Sequence, residues 1–424
     1  MERTPAWERA RVHSQQYSRR NPTEQVLYRI VYHYREELEY CWSERFEHKY
    51  GCLRDEVKEA FDGFLDCGIL LHGCARAVCE DCGHSELIPF SCKKKYICGS
   101  CDAKRALLFG EHLHENVLLS EPHVHQVFSI PKILRPRFKF NRALLDLLYH
   151  AAWDSWKELI DDALPGCTPA IVMGLHSSGD LLAWHPHAHT LTLYGGIDEK
   201  GDFHPLEEVD DDYLTNCFAR NLLDALLEAG EIEQDTVDLI RGWEHSGFHV
   251  FTGEPIGADD AEARQFIGRY IKKSAVLNSR LELIENRDNP IVRIHKNTDD
   301  GDAFKDFDPL EFLAELAQHV PFRREQTVRY FGKYSARSRG AKRLALDFPG
   351  PLPETDPPKR PSQSWARCMA QVFEFDPLVC TKCGGRMHIK AFLHSSTEIN
   401  RIADNLGIVT WRAPPPISYF DNAA

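Results

Sequence analysis

The segment LLAWHPHAHTLTLYGG, residues 181–196, sets His185, His187 and His189 at alternate positions. Alternate residues of a strand point to one face, so the segment would line up imidazoles on one side of a sheet. Pro186 cannot donate to a strand ladder, which places it at a strand start or an edge and leaves His187 and His189 in the strand proper. Two imidazoles on one face suit a divalent cation, and one further histidine, carboxylate or amide from a neighbouring strand would complete an open catalytic site. His123 is the expected third ligand, because HVHQVFSIP (123–131) is a β-rich run that should neighbour the histidine strand; His125 points the same way and is the alternative. H-x-H alone is a cheap pattern, and the competing reading is a half-exposed strand with ordinary polar residues.

Cysteines form the second constellation. Cys79-x2-Cys82 and Cys98-x2-Cys101 are separated by 15 residues in CEDCGHSELIPFSCKKKYICGSC. Each C-x2-C turn offers two thiolates at one vertex, and a hairpin that joins two turns makes a tetrahedral zinc site. Cys79, Cys82, Cys98 and Cys101 are therefore expected to hold one structural Zn²⁺, with Cys67, Cys74 and Cys92 as spares. A lone pair, Cys380-x2-Cys383, is half of a second zinc site and needs two more ligands; His388 and His394 are the local candidates.

The third element is a tyrosine. In ADDAEARQFIGRYIKK, Ala263, Phe266, Ile267, Tyr270 and Ile271 recur at helical spacing and line one face. Tyr270 is an ordinary core aromatic on the plainer reading. Yet Arg264, Arg269, Lys272 and Lys273 flank it and could hold a phosphate backbone, and a phenol beside a metal-polarised phosphodiester can attack it and conserve the bond energy. Rejoining would then need no ATP, and the chain has no GxxxxGK[ST] loop, so no nucleotide cofactor is expected.

The elements that must position these groups follow from periodicity. Residues 22–66 alternate apolar and charged positions at helical spacing, and NRALLDLLYHAAWDSWKELI and DDYLTNCFARNLLDALLEAG are further amphipathic helices. PAIVMGLHSSGDLLAWHPHAHTLTLYGG has the pattern of strand, polar turn, strand. The expected fold class is α+β, with a central antiparallel sheet flanked by helices, an N-terminal zinc ribbon and a small C-terminal module resembling a zinc knuckle. The expected divisions are a helical segment (1–66), a zinc-binding domain (67–110), a central domain that carries the histidine strand and the tyrosine helix (111–285), a basic extension (286–346), a Pro-rich linker (347–363) and the C-terminal module (364–424).

A chain of 424 residues is long enough for two to four domains with ample burial. Its net charge of −13 argues against a general nucleic-acid binder but not against a basic groove, since the acid gathers in DEKGDFHPLEEVDDDY (198–213) while CKKKYICGSCDAKR and PFRREQTVRYFGKYSARSRGAKR are basic. No apolar run is long enough to span a bilayer and the first residues carry no signal-peptide core, so a cytoplasmic protein with reduced cysteines and no membrane partner is expected.

From about residue 25 to its C-terminus the chain resembles the HUH-type rolling-circle transposases of the insertion-sequence-ninety-one family. The resemblance rests on six pieces in the same order: CARAVCEDCG…FSCKKKYICGSC, PHVHQVFSIPKILRPRF, GDLLAWHPHAHTLTLYGG, RYIKK, QHVPFRREQTVRYFGKYSARSRG and SWARCMAQVFEFDPLVCTKCGG. It implies a nuclease that nicks single-stranded DNA at element ends with hairpin-forming sequences, using Mg²⁺ or Mn²⁺ and a 5′-phosphotyrosine bond. His187 and His189 would be the metal histidines and Tyr270 the nucleophile. Where some members carry a second tyrosine four residues earlier, this chain has Phe266, so it resembles the single-tyrosine branch. The Tyr330-x3-Tyr334 pair ranks second for the nucleophile, because the family pattern puts that residue in the helix ending RYIKK. Arg329, Tyr330, Lys333, Tyr334, Arg337 and Arg339, with Arg269, Lys272 and Lys273, are instead expected to contact DNA, aromatics stacking on bases and cations holding phosphates. A zinc-dependent hydrolase using His185, His187 and His189 together and a non-catalytic zinc-ribbon DNA-binding protein are the alternatives.

Overall fold

The computed structural model describes residues 21–417 apart from 95, 273, 286–288, 297–302 and 346–378. Five strands form its central sheet: β3 (His123–Ser129), β4 (Ala170–Ser178), β5 (Trp184–Leu193), β8 (His249–Thr252) and β12 (Val328–Gly332), in the order β12-β4-β5-β3-β8 and antiparallel throughout. The inner strands are buried along nearly their whole length because both faces are covered, which is why AIVMGL shows little alternation and why the alternating threonines of TLTL, Thr190 and Thr192, are buried and bonded to each other. On one face α4 (Leu145–Ala163) and α5 (Asp211–Glu228) bury Trp156, Phe218 and Leu222 against Phe128, Met173, Leu175 and Ala188. On the other lies α6 (Ala261–Tyr270), backed by α3 (Gly99–Asn116). Between β5 and β8 a small hairpin, β6 (Gly195–Ile197) with β7 (Phe203–Pro205), carries the start of the acidic tract.

A second core joins α1 (Val26–Arg45), α2 (Asp55–Leu65), α7 (Pro309–Gln318) and a three-stranded sheet of β9 (Leu281–Ile284), β10 (Ile291–His295) and β11 (Phe304–Phe307). Ile30, Leu38, Phe61, Val292 and Phe312 meet there, together with Cys67, Cys98 and Cys101. The helical segment and the basic extension expected as separate units thus share this core. The extension itself divides, since its β12 leaves to become the edge of the central sheet and its α8 (Ala336–Ala345) follows that strand.

The C-terminal segment is not a unit of its own either. Its β13 (Met387–Leu393) pairs with β1 (Cys74–Cys79), which pairs in turn with β2 (Ser85–Pro89), and α9 (Ser396–Leu406) packs Ile399 and Ala403 on Leu70, Cys74 and Leu87. A boundary drawn from local composition cannot register a strand supplied from more than 300 positions downstream. The linker 347–363 lies outside the described residues, as do residues 1–20. Among the described residues no helix is long and apolar enough to cross a membrane.

Candidate functional site

The β4–β5 hairpin builds the centre of the site. Its register pairs Met173 with Thr190, Gly174 with His189 and His176 with His187, so His176, His187 and His189 project from the same face of two adjacent strands. Their ligand nitrogens all lie within 4.8 Å of one another, and all three side chains are buried. Pro186 falls near the start of β5, where the ladder shifts register between His176 and Ser178 and no amide donor is required.

Each ring is oriented by a second partner. His187 Nδ1 donates to the His185 carbonyl at 2.7 Å, which puts its lone pair on Nε2. His189 Nδ1 meets His125 Nε2 at 3.0 Å, with the two rings stacked 5.3 Å apart. Burial pushes His125 down to about 4, so it is neutral at pH 7 and can accept that bond. His176 Nε2 donates to the Ile271 carbonyl at 3.2 Å, which leaves Nδ1 with its lone pair. Three imidazoles oriented in this way open on a cleft of about 220 Å³, and their nitrogens form a donor set that could hold a metal ion.

His123 takes no part in this cluster. It pairs with Leu193 at the far end of β5, is fully buried, and bonds Tyr334 Oη and the Glu121 carbonyl. The third histidine is His176, from the strand on the other side. Sequence reasoning missed it because GLHSSGD reads as a strand running into a turn. Folding that turn onto itself would have set position 176 opposite 187, the one available signal. His185 lines the same cleft, and burial beside His187 and Arg135 holds it at about 3.

Tyr270 is the last residue of α6, whose start is capped by Asp260 accepting from the Ala263 amide. The helix buries Ala263, Ile267 and Ile271 against Leu191 and Ile256, each large aliphatic contributing about 1.5–3 kcal/mol. Gly174 decides how close it comes: a β-carbon there would collide with Ile271. The bare strand lets the helix end sit down on the sheet and brings the Tyr270 ring 4.9 Å from His189 and 5.9 Å from His176. Behind α6, Gly110 of α3 approaches Gly268, where a β-carbon would lie 3.0 Å from the Gly110 Cα. Tyr270 therefore rides on a helix clamped between sheet and α3.

The cysteines do not group as the local spacing suggests. Cys79 and Cys82 do not share a cluster with Cys98 and Cys101. Cys67, Cys92, Cys98 and Cys101 form one set of four thiols, with Sγ separations of 3.5 Å (Cys67–Cys98) and 3.6 Å (Cys67–Cys101, Cys92–Cys101). Cys79, Cys82, Cys380 and Cys383 form the other, with Cys79–Cys383 at 3.5 Å and Cys82–Cys380 at 3.7 Å. A tetrahedron with Zn–S of about 2.3 Å has S···S edges of roughly 3.8 Å, so both sets fit zinc. The second pair of ligands for Cys380 and Cys383 comes from the N-terminal knuckle and not from His388 or His394. Cys74 is a buried core residue. Tyr96, between the ligands of the first set, donates its hydroxyl to the Leu175 carbonyl at 3.3 Å, one residue before His176, and lines the histidine cleft.

The expected DNA contacts are dispersed. Tyr334 is buried, donating or accepting with His123 and the Leu119 amide, and cannot stack on a base. Tyr330 is half-buried beneath the Arg339 guanidinium, 4.8 Å from the ring centroid. Arg329 pairs with Asp146. Arg269 lies along Gln265 and Phe266 beside α3, and Lys272 over the Phe109 ring at 5.0 Å. Lys333 is half-buried and Arg337 exposed, while Lys273 lies outside the described residues.

A cleft on an antiparallel sheet thus brings three histidines and a tyrosine together. Comparison with known proteins gives the class of protein that carries it. Residues 38–130 match the family described as a transposase zinc-binding domain, and residues 170–342 the family described as a putative transposase. The chain is 28% identical over 388 residues, 84% of its length and 88% of the relative's, to the transposase for insertion sequence element IS801 of Pseudomonas savastanoi pv. phaseolicola. It is 27% identical over 314 residues, 66% of its length and 76% of the relative's, to putative transposase y4qJ of Sinorhizobium fredii (strain NBRC 101917 / NGR234). No solved structure matches it. The chain belongs to the insertion-sequence-ninety-one family of transposases.

Proposed function

We propose that this transposase nicks and rejoins single-stranded DNA at the ends of an insertion sequence, with Tyr270 as nucleophile, in a rolling-circle pathway. The observation that carries the reading is the placement of Tyr270 against His176 and His189 in one cleft. His176, His187 and His189 would hold a divalent cation, which would supply Lewis acidity to a phosphodiester oxygen. Tyr270 Oη attacks phosphorus: the Oη–P bond forms, the P–O3′ bond breaks, the phenolic proton is lost and O3′ takes up a proton. The products are a 5′-phosphotyrosine and a free 3′-hydroxyl, and the reverse attack by a 3′-hydroxyl rejoins DNA without ATP. Incubating the full chain and Mn²⁺ with labelled single-stranded fragments tiled across the DNA flanking its gene should yield a protein–DNA adduct that survives denaturation. Cleavage without an adduct would point to the hydrolase reading; no cleavage of any fragment, single-stranded or hairpin, would sink the proposal.

The donor set favours one metal. Imidazole nitrogen suits first-row transition ions better than Mg²⁺, which prefers carboxylate and water oxygens. Adduct formation should therefore saturate at a concentration of Mn²⁺ roughly tenfold or more below that of Mg²⁺; equal or better use of Mg²⁺ would contradict a three-imidazole site.

His176→Ala should cost adduct formation more than the roughly 10- to 100-fold typical of residues that only orient a ligand. His123→Ala should leave the chemistry in place and lower stability by about 1–3 kcal/mol, because the Tyr334 hydroxyl loses a buried partner. Thermal melts beside an adduct assay read both, and the opposite ranking would restore His123 as the ligand.

A further inference from the structure

We infer that a second cleft, on the opposite face of the sheet, is a docking site for one nucleotide of the single-stranded DNA, its base against Phe322 and its phosphate at Arg324. The inference rests on the single-strand reading above and adds a site which that reading does not use. The cleft has a volume of about 520 Å³ and lies between the start of α4, Leu175 of β4 and the turn 322–326 that leads into β12, a size that suits a nucleotide.

Its lining is cationic and aromatic. Arg142, Arg323, Arg324 and Arg329 face it, against the carboxylates of Asp146 and Glu325. Arg142 is buried and engaged by both oxygens of Glu325, at 2.8 and 2.9 Å, and by the Gln318 carbonyl. It is part of the wall. Arg323 leans outward to Glu56 and Glu59. Arg324 stands at the lip with φ +65, a left-handed backbone conformation that side chains other than glycine adopt rarely. Phe322 is 41% exposed, although Arg54 lies 4.5 Å and Arg142 5.4 Å from its ring centroid. An exposed ring backed by two guanidiniums is a stacking platform that carries positive potential, the combination that holds single strands without reading their sequence. Burial and the nearby Arg142 charge push Arg54 down to about 10, against the opposing pull of Glu56 and Glu325.

The cleft is also in the right place. Leu175 lines it, while the next residue, His176, lines the cleft that holds Tyr270. Successive side chains of a strand point to opposite faces, so the two clefts open back to back at the end of β4. There β4 still pairs with β5 on one side, but on the side of β12 the ladder ends at Gly174, followed only by the bonds from the Leu175 amide to the Thr327 carbonyl and from the Tyr96 hydroxyl to the Leu175 carbonyl. A strand of DNA that turns round this edge would have one nucleotide at the nicking centre and a neighbour's base at Phe322.

Binding of a fluorescent thymidine 20-mer to the full chain tests this. Phe322→Ala should weaken it roughly tenfold, the loss of one base stack, and Phe322→Tyr should bind as the parent does. Arg324→Gln should weaken binding and lower the slope of log affinity against log salt by about 0.7, one phosphate contact on a single strand. At saturating DNA both variants should still form the Tyr270 adduct. Parental affinity and salt slope in both would overturn the inference, as would equal losses for a blunt duplex, whose bases cannot stack on the ring. Tyr270→Phe distinguishes the two proposals: if it still forms an adduct the nicking reading fails, whereas the Phe322 and Arg324 results stand on binding alone.

Discussion

Tyr270→Phe is expected to fold, bind single-stranded DNA with parental affinity and form no covalent adduct. The ring stays in place against His189 and His176, so packing is kept and only the attacking oxygen is removed. The effect should be all or none within the sensitivity of a denaturing gel, because the substitution removes the very oxygen proposed to attack. Tyr330→Phe should retain the adduct. Tyr334→Phe should retain it too, at some cost in stability, since its hydroxyl satisfies His123 and the Leu119 amide. An adduct in Tyr270→Phe that maps by mass spectrometry to a peptide containing Tyr330 or Tyr334 would overturn the assignment.

Loss of the first zinc set should abolish nicking from a distance. Cys98 is the N-terminal cap position of α3, and Cys101 lies in its first turn. The same helix meets α6 at Gly110 and Gly268, and Tyr96, in the loop before it, ties to the backbone beside His176. Structural zinc contributes on the order of 10–16 kcal/mol in small folded units, far more than the contacts that would remain. Cys98→Ser should therefore halve the zinc content from two ions per chain to one and eliminate the adduct. Cys380→Ser should also lose one zinc, and release β13 from β1, but should spare most of the chemistry, because that sheet braces neither α6 nor the histidine hairpin. Zinc analysis that finds a single ion in well-folded parent protein, or equal loss of nicking in the two variants, would contradict this division of labour.

Part of this architecture was legible in the sequence and part was not, for physical reasons. The strand–turn–strand pattern of 170–196 and the amphipathic run from Asp259 to Lys273 are local signals, and both appear as β4–β5 and α6. Period two placed His187 and His189 on one face; period 3.6 placed Tyr270 on the same stripe as Ile267 and Ile271, but not against which strand. His176 stayed hidden because its role depends on hairpin register. The cysteine pairing was read as local and is not: nothing at Cys79 or Cys82 reveals that β13 lies beside β1. Tyr334 lies among basic residues, which suggests stacking on DNA bases, whereas after the tight turn at Gly332, φ +58 against the Pro169 carbonyl, it is buried.

The long-range cysteine pairing has a consequence for synthesis. Cys82 and Cys380 are 298 positions apart. At roughly 5–20 residues per second, a ribosome exposes the first two thiols some 15–60 s before their partners exist. During that interval the knuckle is an incomplete chelator, open to oxidation or to the wrong metal. The first set, complete by Cys101, closes early. The order of translation thus builds the brace behind Tyr270 first and locks the outer sheet last, so a message cut short before residue 380 yields a chain that still carries both Tyr270 and the cleft histidines.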